Sequence, residues 1–121
     1  TLASLGIPDP VQDDSVGVFA NVELRTLYWE LVASGMQSEV AALTVGATIE
    51  DLDIRDIERM KGRTTDPSVL ALYDSLQCGS RNHLRAYTSQ LASRGVTYTA
   101  RYIGAPELAS IRAASNERCG P

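Results

Sequence analysis

Three ionisable side chains, Glu50, Asp53 and His83, have types and spacings that suit metal binding. His83 is the only histidine in the chain of 121 residues. Carboxylate oxygens and imidazole nitrogens are good ligands for iron, manganese and zinc. At 100° per residue, Glu50 lies in the middle of an apolar helical stripe and Asp53 lies within the same broad apolar arc. His83 is central to the apolar stripe of a second helix, so we predict that all three side chains point inward.

These residues have two interpretations. In the first, Glu50, Asp53 and His83 bind a metal inside a helical bundle, as carboxylates and histidines do in di-iron and di-manganese proteins. In the second, the chain is a non-catalytic structural or interaction protein, and Glu50 and His83 are a buried polar pair. A rise of about 1.5 Å per residue brings the two Cα atoms within roughly 7 Å of each other in height, so a shared polar pocket is feasible. The sequence has no phosphate-binding glycine loop and no nucleophile motif, so it predicts no organic cofactor and leaves any catalytic residue unidentified.

The elements that position these residues are predicted to be helices. Residues 1–20 lack helical periodicity and contain several Pro, Gly and Asp residues, which predicts an extended lead-in with turns. A first helix begins after the N-cap Asn21 and ends at Gly35. Two long helices follow at about 38–61 and 66–94, and a short helix at about 106–115. We predict a single all-α domain over residues 1–121, with the long helices forming an antiparallel hairpin.

The other sides of the two long helices are predicted to face solvent. On the second helix this polar side consists of Thr44, Thr48, Asp51, Arg55 and Arg59, and on the third helix it includes Arg81 and Arg85. Cys78 also lies off the core-facing stripe, where a C-terminal tail carrying Cys119 could reach it. A disulfide between the two cysteines and a pair of free thiols both stay open at this point.

Composition limits the partners of the chain. A net charge of -4 and a pI near 4.9 disfavour nucleic acid as a partner. No apolar run approaches the roughly 18–20 residues that a membrane span requires. The apolar faces of the long helices are too wide to cover each other, so we predict a homodimer, or completion by a missing N-terminal half of the same domain. Because the chain opens at Thr1 rather than Met, it is predicted to be trimmed or part of a longer protein.

Several segments match a known group of proteins in both residue identity and spacing. They are GVF at 17–19 with Asn21 and Glu23-Leu24, ALTVGA at 42–47, IEDLDI at 49–54, GSRNHLRA at 79–86 and GVTY at 95–98. These segments resemble the uncharacterised ferritin-like domain proteins of bacteria and archaea. The resemblance implies a ferritin-like antiparallel bundle, of which this chain is the C-terminal half and which dimerisation would complete.

The same resemblance implies a ligand set. Ferritin-like di-metal proteins take one Glu from each of two helices and a Glu-x-x-His pair from each of two others. By resemblance, Glu50 is a single-helix Glu and His83 is the His of such a pair, while Ser80 stands where the Glu of that pair is expected. Asp53 is an additional carboxylate on the other helix. The resemblance implies bound iron, or else manganese or zinc, a redox-related role, and a secreted or periplasmic location, with a cytoplasmic one as the alternative.

Overall fold

The structure is a computed structural model that describes residues 2–120, and these residues are predominantly helical. No β-strand occurs within the described range. A short 3-10 helix precedes four α-helices, which are α1 (Val22–Gly35), α2 (Glu39–Lys61), α3 (Pro67–Ser93) and α4 (Ala105–Ala113). The chain divides into two compact units, one ending at Ser34 and the other beginning at Gly35. Between residues 2 and 120, no helix is both long and apolar enough to cross a membrane.

The first unit contains the lead-in and nearly all of α1. The side chain of Asn21 accepts a hydrogen bond from the Leu24 amide at 3.0 Å, which satisfies a free N–H group at the start of the helix. Within this unit the ring of Tyr28 packs against those of Phe19 and Trp29, with centroids 5.5 and 5.2 Å apart. The lead-in and α1 therefore have local packing of their own.

In the second unit, α2 and α3 form an antiparallel hairpin. Lys61 at the end of α2 donates to Gln77 in the first half of α3, and Arg94 just after α3 pairs with Glu39 at the start of α2. These contacts can coexist only if the two helices run in opposite directions. The all-helical class and the hairpin agree with the prediction from the sequence.

The helix ends follow the capping residues that the sequence indicates. The Ser38 hydroxyl accepts from the Ala41 amide at 3.0 Å at the start of α2. Asp66 accepts from the Ser68 amide at 2.8 Å at the start of α3, and Pro67 occupies the first turn, where its missing N–H costs nothing. The last helix, predicted to reach about 115, ends at Ala113 because the backbone at Ala114 is already extended.

The core of the second unit lies between the hairpin and the segment that follows it. The hairpin contributes Ala47, Ile54, Leu84 and Leu91, and the segment of residues 98–111 contributes Tyr98, Ile103, Leu108 and Ile111. Each of these residues is at most 9% exposed. The segment therefore covers one side of the hairpin and leaves the opposite side of α2 and α3 open.

The buried faces of both long helices are rotated from the predicted ones. Thr48 and Asp51, which were expected on the solvent side, are buried, whereas Leu72 and Leu76 of the predicted stripe are 43% and 50% exposed. The cause is residues 98–111, which pack against the polar flank of the hairpin and need the Asp51 carboxylate as a hydrogen-bond acceptor. The helical periodicity of α2 and α3 alone cannot predict the contact with residues 98–111.

The C-terminal tail runs back along α3 after α4. Cys119 of the tail forms a disulfide with Cys78, 41 residues earlier. Arg81 and Arg85, which were predicted to be solvated, are instead partly covered by the tail and form ion pairs with Glu117. The prediction of a solvated face is wrong here because a surface segment far away in sequence folds onto it.

Candidate functional site

Glu50 and His83 contact each other across the hairpin. Nδ1 of His83 lies 3.1 Å from Oε1 of Glu50. The Glu50 side chain is only 14% exposed, whereas the His83 side chain is 66% exposed. The structure therefore brings together the two residues whose proximity was predicted. The expectation that His83 is buried on an apolar face is wrong, because the position of His83 on α3 is open to solvent.

An open groove of about 520 Å³ runs beside this pair along α2 and α3. Its walls are formed by Glu50, Asp53, Ile57, Ser75, Leu76, Gly79, Ser80 and His83. The α2 residues follow a spacing of three and four, which places their side chains on one side of that helix. All three residues predicted to bind a metal thus line one groove, and apolar residues form part of its walls.

The groove is acidic. Partial desolvation raises the pKa of Asp53, and repulsion from the Glu50 and Asp56 carboxylates raises it further. Among the residues that line the groove, His83 is the only one that can carry a positive charge. The Glu50 and Asp53 carboxylates therefore repel each other along the groove.

One chain does not supply a complete metal site. Within residues 2–120, no three His, Cys, Asp or Glu side chains converge so as to hold a metal ion. Glu50 and His83 are a contacting pair of donors, and Asp53 lines the same groove without completing such a group. Ser80 is 7% exposed and lies in the groove wall, where the resemblance places a Glu. A neutral hydroxyl replaces an anionic donor there, so this chain alone falls short of the usual four or more ligands.

Comparison with known proteins places the chain in a family. The family described as "Uncharacterized protein domain (DUF2202)" matches residues 1–115. The chain belongs to the DUF2202 family. Its relatives include the uncharacterized protein MJ0754 of Methanocaldococcus jannaschii, which is 47% identical over 117 residues. That alignment covers 97% of this chain and 63% of the relative.

A solved structure shares the fold of this DUF2202 chain. The crystal structure of hypothetical protein MJ0754 from Methanococcus jannaschii superposes with a TM-score of 0.93 at 46% sequence identity. The match covers 96% of this chain and 66% of that chain. This DUF2202 chain therefore spans only about two thirds of the length of its relatives. The family description assigns no activity, and the ferritin-like relationship remains a prediction.

In this DUF2202 chain, the carboxylate that is fully buried is Asp51, which reasoning from the sequence missed. Asp51 Oδ2 accepts from the Tyr98 hydroxyl at 2.8 Å and from the Arg101 amide at 2.6 Å, and Oδ1 accepts from the Ile103 amide at 2.8 Å. A weaker contact to the Tyr102 amide is 3.3 Å long. Asp51 therefore organises residues 98–103, which have no strand partner to satisfy their backbone N–H groups.

A signal for Asp51 did exist in the sequence. Residues 96–103 have an alternating pattern, yet no second strand is available to pair with them. Buried backbone N–H groups without a strand partner require side-chain acceptors, and an acidic residue on a neighbouring helix can supply them. Asp51 thus stabilises the fold of residues 98–103. This segment packs on the side of the hairpin opposite to Glu50 and His83.

Proposed function

We propose that this chain provides one half of a divalent-metal site, which a second copy completes across the open side of α2 and α3. The observation that carries the proposal is the 3.1 Å contact between Glu50 and His83 in an open acidic groove lined by α2 and α3. Carboxylate and imidazole are the ligand types of iron, manganese and zinc sites in helical proteins. A redox-related role is part of this proposal.

A twofold arrangement supplies the missing donors. Glu50, Asp53 and His83 from each of two copies amount to four carboxylates and two imidazoles, which is close to the donor set of a di-metal centre. Asp53 then replaces the carboxylate that is absent at Ser80. When bound, the metal would supply Lewis-acid or one-electron chemistry, while Glu50 would position the His83 ring through their hydrogen bond. A four-helix, ferritin-like bundle is the arrangement that this dimer would form.

The disulfide supports an exported location within the same proposal. Disulfides such as Cys78–Cys119 persist in oxidising compartments and are rare in the cytosol.

The metal site is tested with the full chain and its Glu50→Ala and His83→Ala variants. We expect Fe²⁺, Mn²⁺ or Zn²⁺ to raise the melting temperature, since a ligand at 100 times its Kd stabilises by about 2.7 kcal/mol. Both variants should lose this rise, and metal analysis should find less bound metal. Glu107→Ala, which removes an exposed carboxylate of α4, is the matched control and should retain the rise. No thermal shift with any of the three ions, together with no bound metal, would reject the proposal.

A structural or interaction protein is the second candidate function. It is favoured by the absence of any group of three potential ligands among residues 2–120 and by the exposure of Leu72 and Leu76 beside the groove. In that case Glu50 and His83 are a polar pair within an interface. Dimerisation should then persist in a chelator such as EDTA, and His83→Gln should preserve the dimer. In the metal-site proposal, EDTA weakens the dimer.

A further inference from the structure

The C-terminal tail, residues 114–119, lies along α3 without any apolar anchor. Every residue from 112 to 120 is exposed except Glu117, which is half-buried. Hydrophobic burial therefore contributes little to holding the tail in place. Its position depends on polar contacts and on the disulfide between Cys119 and Cys78.

The polar contacts come from three residues on one face of α3. Arg81 donates two hydrogen bonds to the Glu117 carboxylate, from Nε to Oε2 at 2.8 Å and from Nη2 to Oε1 at 2.7 Å. Arg85 donates to the carbonyl oxygens of Ala114 and Ser115, each at 2.9 Å. A bidentate guanidinium–carboxylate pair is both strong and geometrically selective.

Asn82, which lies between the two arginines on α3, forms hydrogen bonds with the backbone of the tail. Its Nδ2 donates to the Glu117 carbonyl oxygen, and its Oδ1 accepts from the Glu117 amide, both at 2.9 Å. This reciprocal pairing satisfies one residue of an extended peptide whatever its side chain. Together, Arg81, Asn82 and Arg85 recognise a peptide backbone and a carboxylate attached to it.

The electrostatics agree with this recognition. The hydrogen bond from Arg81, together with the charges of Arg81 and Arg85, lowers the pKa of Glu117 below its usual value against a smaller effect of desolvation. The same contact with Glu117 raises the pKa of Arg81. Because the Arg85 side chain is only 11% exposed, the tail shields a cation that would otherwise face solvent.

We propose that Arg81, Asn82 and Arg85 form a binding site for an acidic peptide segment, that the chain's own tail occupies it, and that reduction of Cys78–Cys119 opens it. A dithiol reductant would break the S–S bond, transfer two electrons and two protons to give two thiols, and itself become a disulfide. Without the disulfide, only these polar contacts and no buried apolar side chain would hold the tail, so the tail would detach from α3 much more often. This site lies on the side of α3 that the metal proposal does not use.

The release of the tail is tested by hydrogen exchange of the full chain with and without tris(2-carboxyethyl)phosphine. We expect the Glu117 amide, which donates a hydrogen bond to Asn82 Oδ1, to exchange at least tenfold faster after reduction. The Leu84 amide in the core of α3 is the internal control and should keep its exchange rate. Unchanged protection of Glu117 after reduction would overturn the proposed release of the tail. If the Leu84 amide also accelerates, the disulfide holds the whole fold together, and release of the tail alone is likewise rejected.

Recognition is tested with the full chain carrying Glu117→Gln and Cys119→Ser, kept reduced. The probe is a capped peptide of residues 113–120 carrying Cys119→Ser, and the readout is the NMR signals of the Arg81 and Arg85 Nε–H groups. We expect these signals to shift with the peptide, and at least fivefold weaker binding when the peptide also carries Glu117→Gln. The oxidised natural chain should not respond. Equal binding of the two peptides, or no shift with either, would overturn the site.

Discussion

At the scale of single residues, the neighbouring carboxylates Glu50 and Asp51 have entirely different environments. They are 100° apart on α2, so Glu50 faces the open groove while Asp51 faces the core. Glu50 meets an exposed imidazole, whereas Asp51 is 0% exposed and satisfies backbone amides of residues 101–103. The first is a ligand of the proposed metal site, and the second cannot change without disturbing the fold.

We predict that Asp51→Asn lowers the free energy of unfolding by about 2–4 kcal/mol. The side-chain NH2 group of the asparagine would face N–H and O–H donors that now bond to a carboxylate oxygen. The charge-assisted hydrogen bonds of the carboxylate would also be lost. Urea denaturation of the natural chain and the variant measures the difference. Asp53→Asn, two residues away and exposed, is the matched control and should stay within about 0.5 kcal/mol. Equal losses for the two variants would contradict the role of Asp51.

Tyr98 makes the same part of the core sensitive to alkali. Burial raises the pKa of Tyr98 to about 12; a hydrogen bond with Thr48 opposes this rise, and the Asp51 carboxylate adds to it. A folded-state pKa above the unfolded value of about 10 means that this stability is present below pH 10 and is lost as the pH rises towards 12.

We therefore predict that the free energy of unfolding falls by roughly 2 kcal/mol between pH 10 and pH 12 because of Tyr98. Denaturant unfolding at several pH values measures the fall. Tyr98→Phe, which has no ionisable hydroxyl, should remove most of this pH dependence while lowering stability at neutral pH. A variant with the same alkaline slope as the natural chain would show that Tyr98 is not the responsible group.

At the scale of elements, the crossing of α2 and α3 depends on Gly46. A Cβ atom at this position would lie 2.6 Å from Cε1 and Cζ of Tyr87, which is closer than carbon atoms can approach. The absence of a side chain on Gly46 thus admits the Tyr87 ring against the α2 backbone, although glycine weakens a helix interior. The close approach of the two helices outweighs the helix propensity of that single position.

We predict that Gly46→Ala changes the sign of its effect with the size of residue 87. In the natural chain it should lower the free energy of unfolding by about 1 kcal/mol, because the Tyr87 ring must move. In a chain that carries Tyr87→Ala, it should raise the free energy of unfolding by about 0.5–1 kcal/mol through helix propensity. A double-mutant cycle in urea measures the coupling. The same sign in both backgrounds would argue against the contact.

At the scale of the whole molecule, the open side of the hairpin combines apolar and acidic groups. Leu72, Leu76 and Met60 are between 43% and 50% exposed, and the groove with Glu50 and His83 lies on the same side. Clustered apolar exposure of this kind is typical of surfaces that bind another polypeptide. The proposed dimer would bury these residues and bring together the two sets of candidate ligands.

We predict that Leu76→Arg makes the chain monomeric at micromolar concentration, whereas the natural chain is a dimer. The arginine would place an unpaired cation in the middle of the proposed interface, and an exposed position tolerates it within one chain. Light scattering measures the molecular mass, and circular dichroism verifies that the helices remain. Met36→Arg, at a position that is 83% exposed and outside the groove, is the control and should leave the dimer intact. A natural chain that is already monomeric would refute the proposed dimer.

The helices and their ends followed from local sequence, whereas their buried faces did not. Ser38, Asp66 and Pro67 act within one turn of their own position, so the starts of α2 and α3 are readable without any tertiary contact. The approach of Glu50 and His83 was also predictable. In an antiparallel hairpin, the number of residues between each position and the turn gives its height along the helices.

Only tertiary structure decided which carboxylate is buried and which arginines are covered. Asp51 bonds to residues about 50 positions away, and Arg81 pairs with Glu117, 36 positions away. Helical periodicity reports how apolar each face is, but a polar face becomes core when a distant segment brings donors that match it. The rotation of the core toward Asp51 left the more apolar side of the hairpin exposed, and with it the groove that contains Glu50, Asp53 and His83.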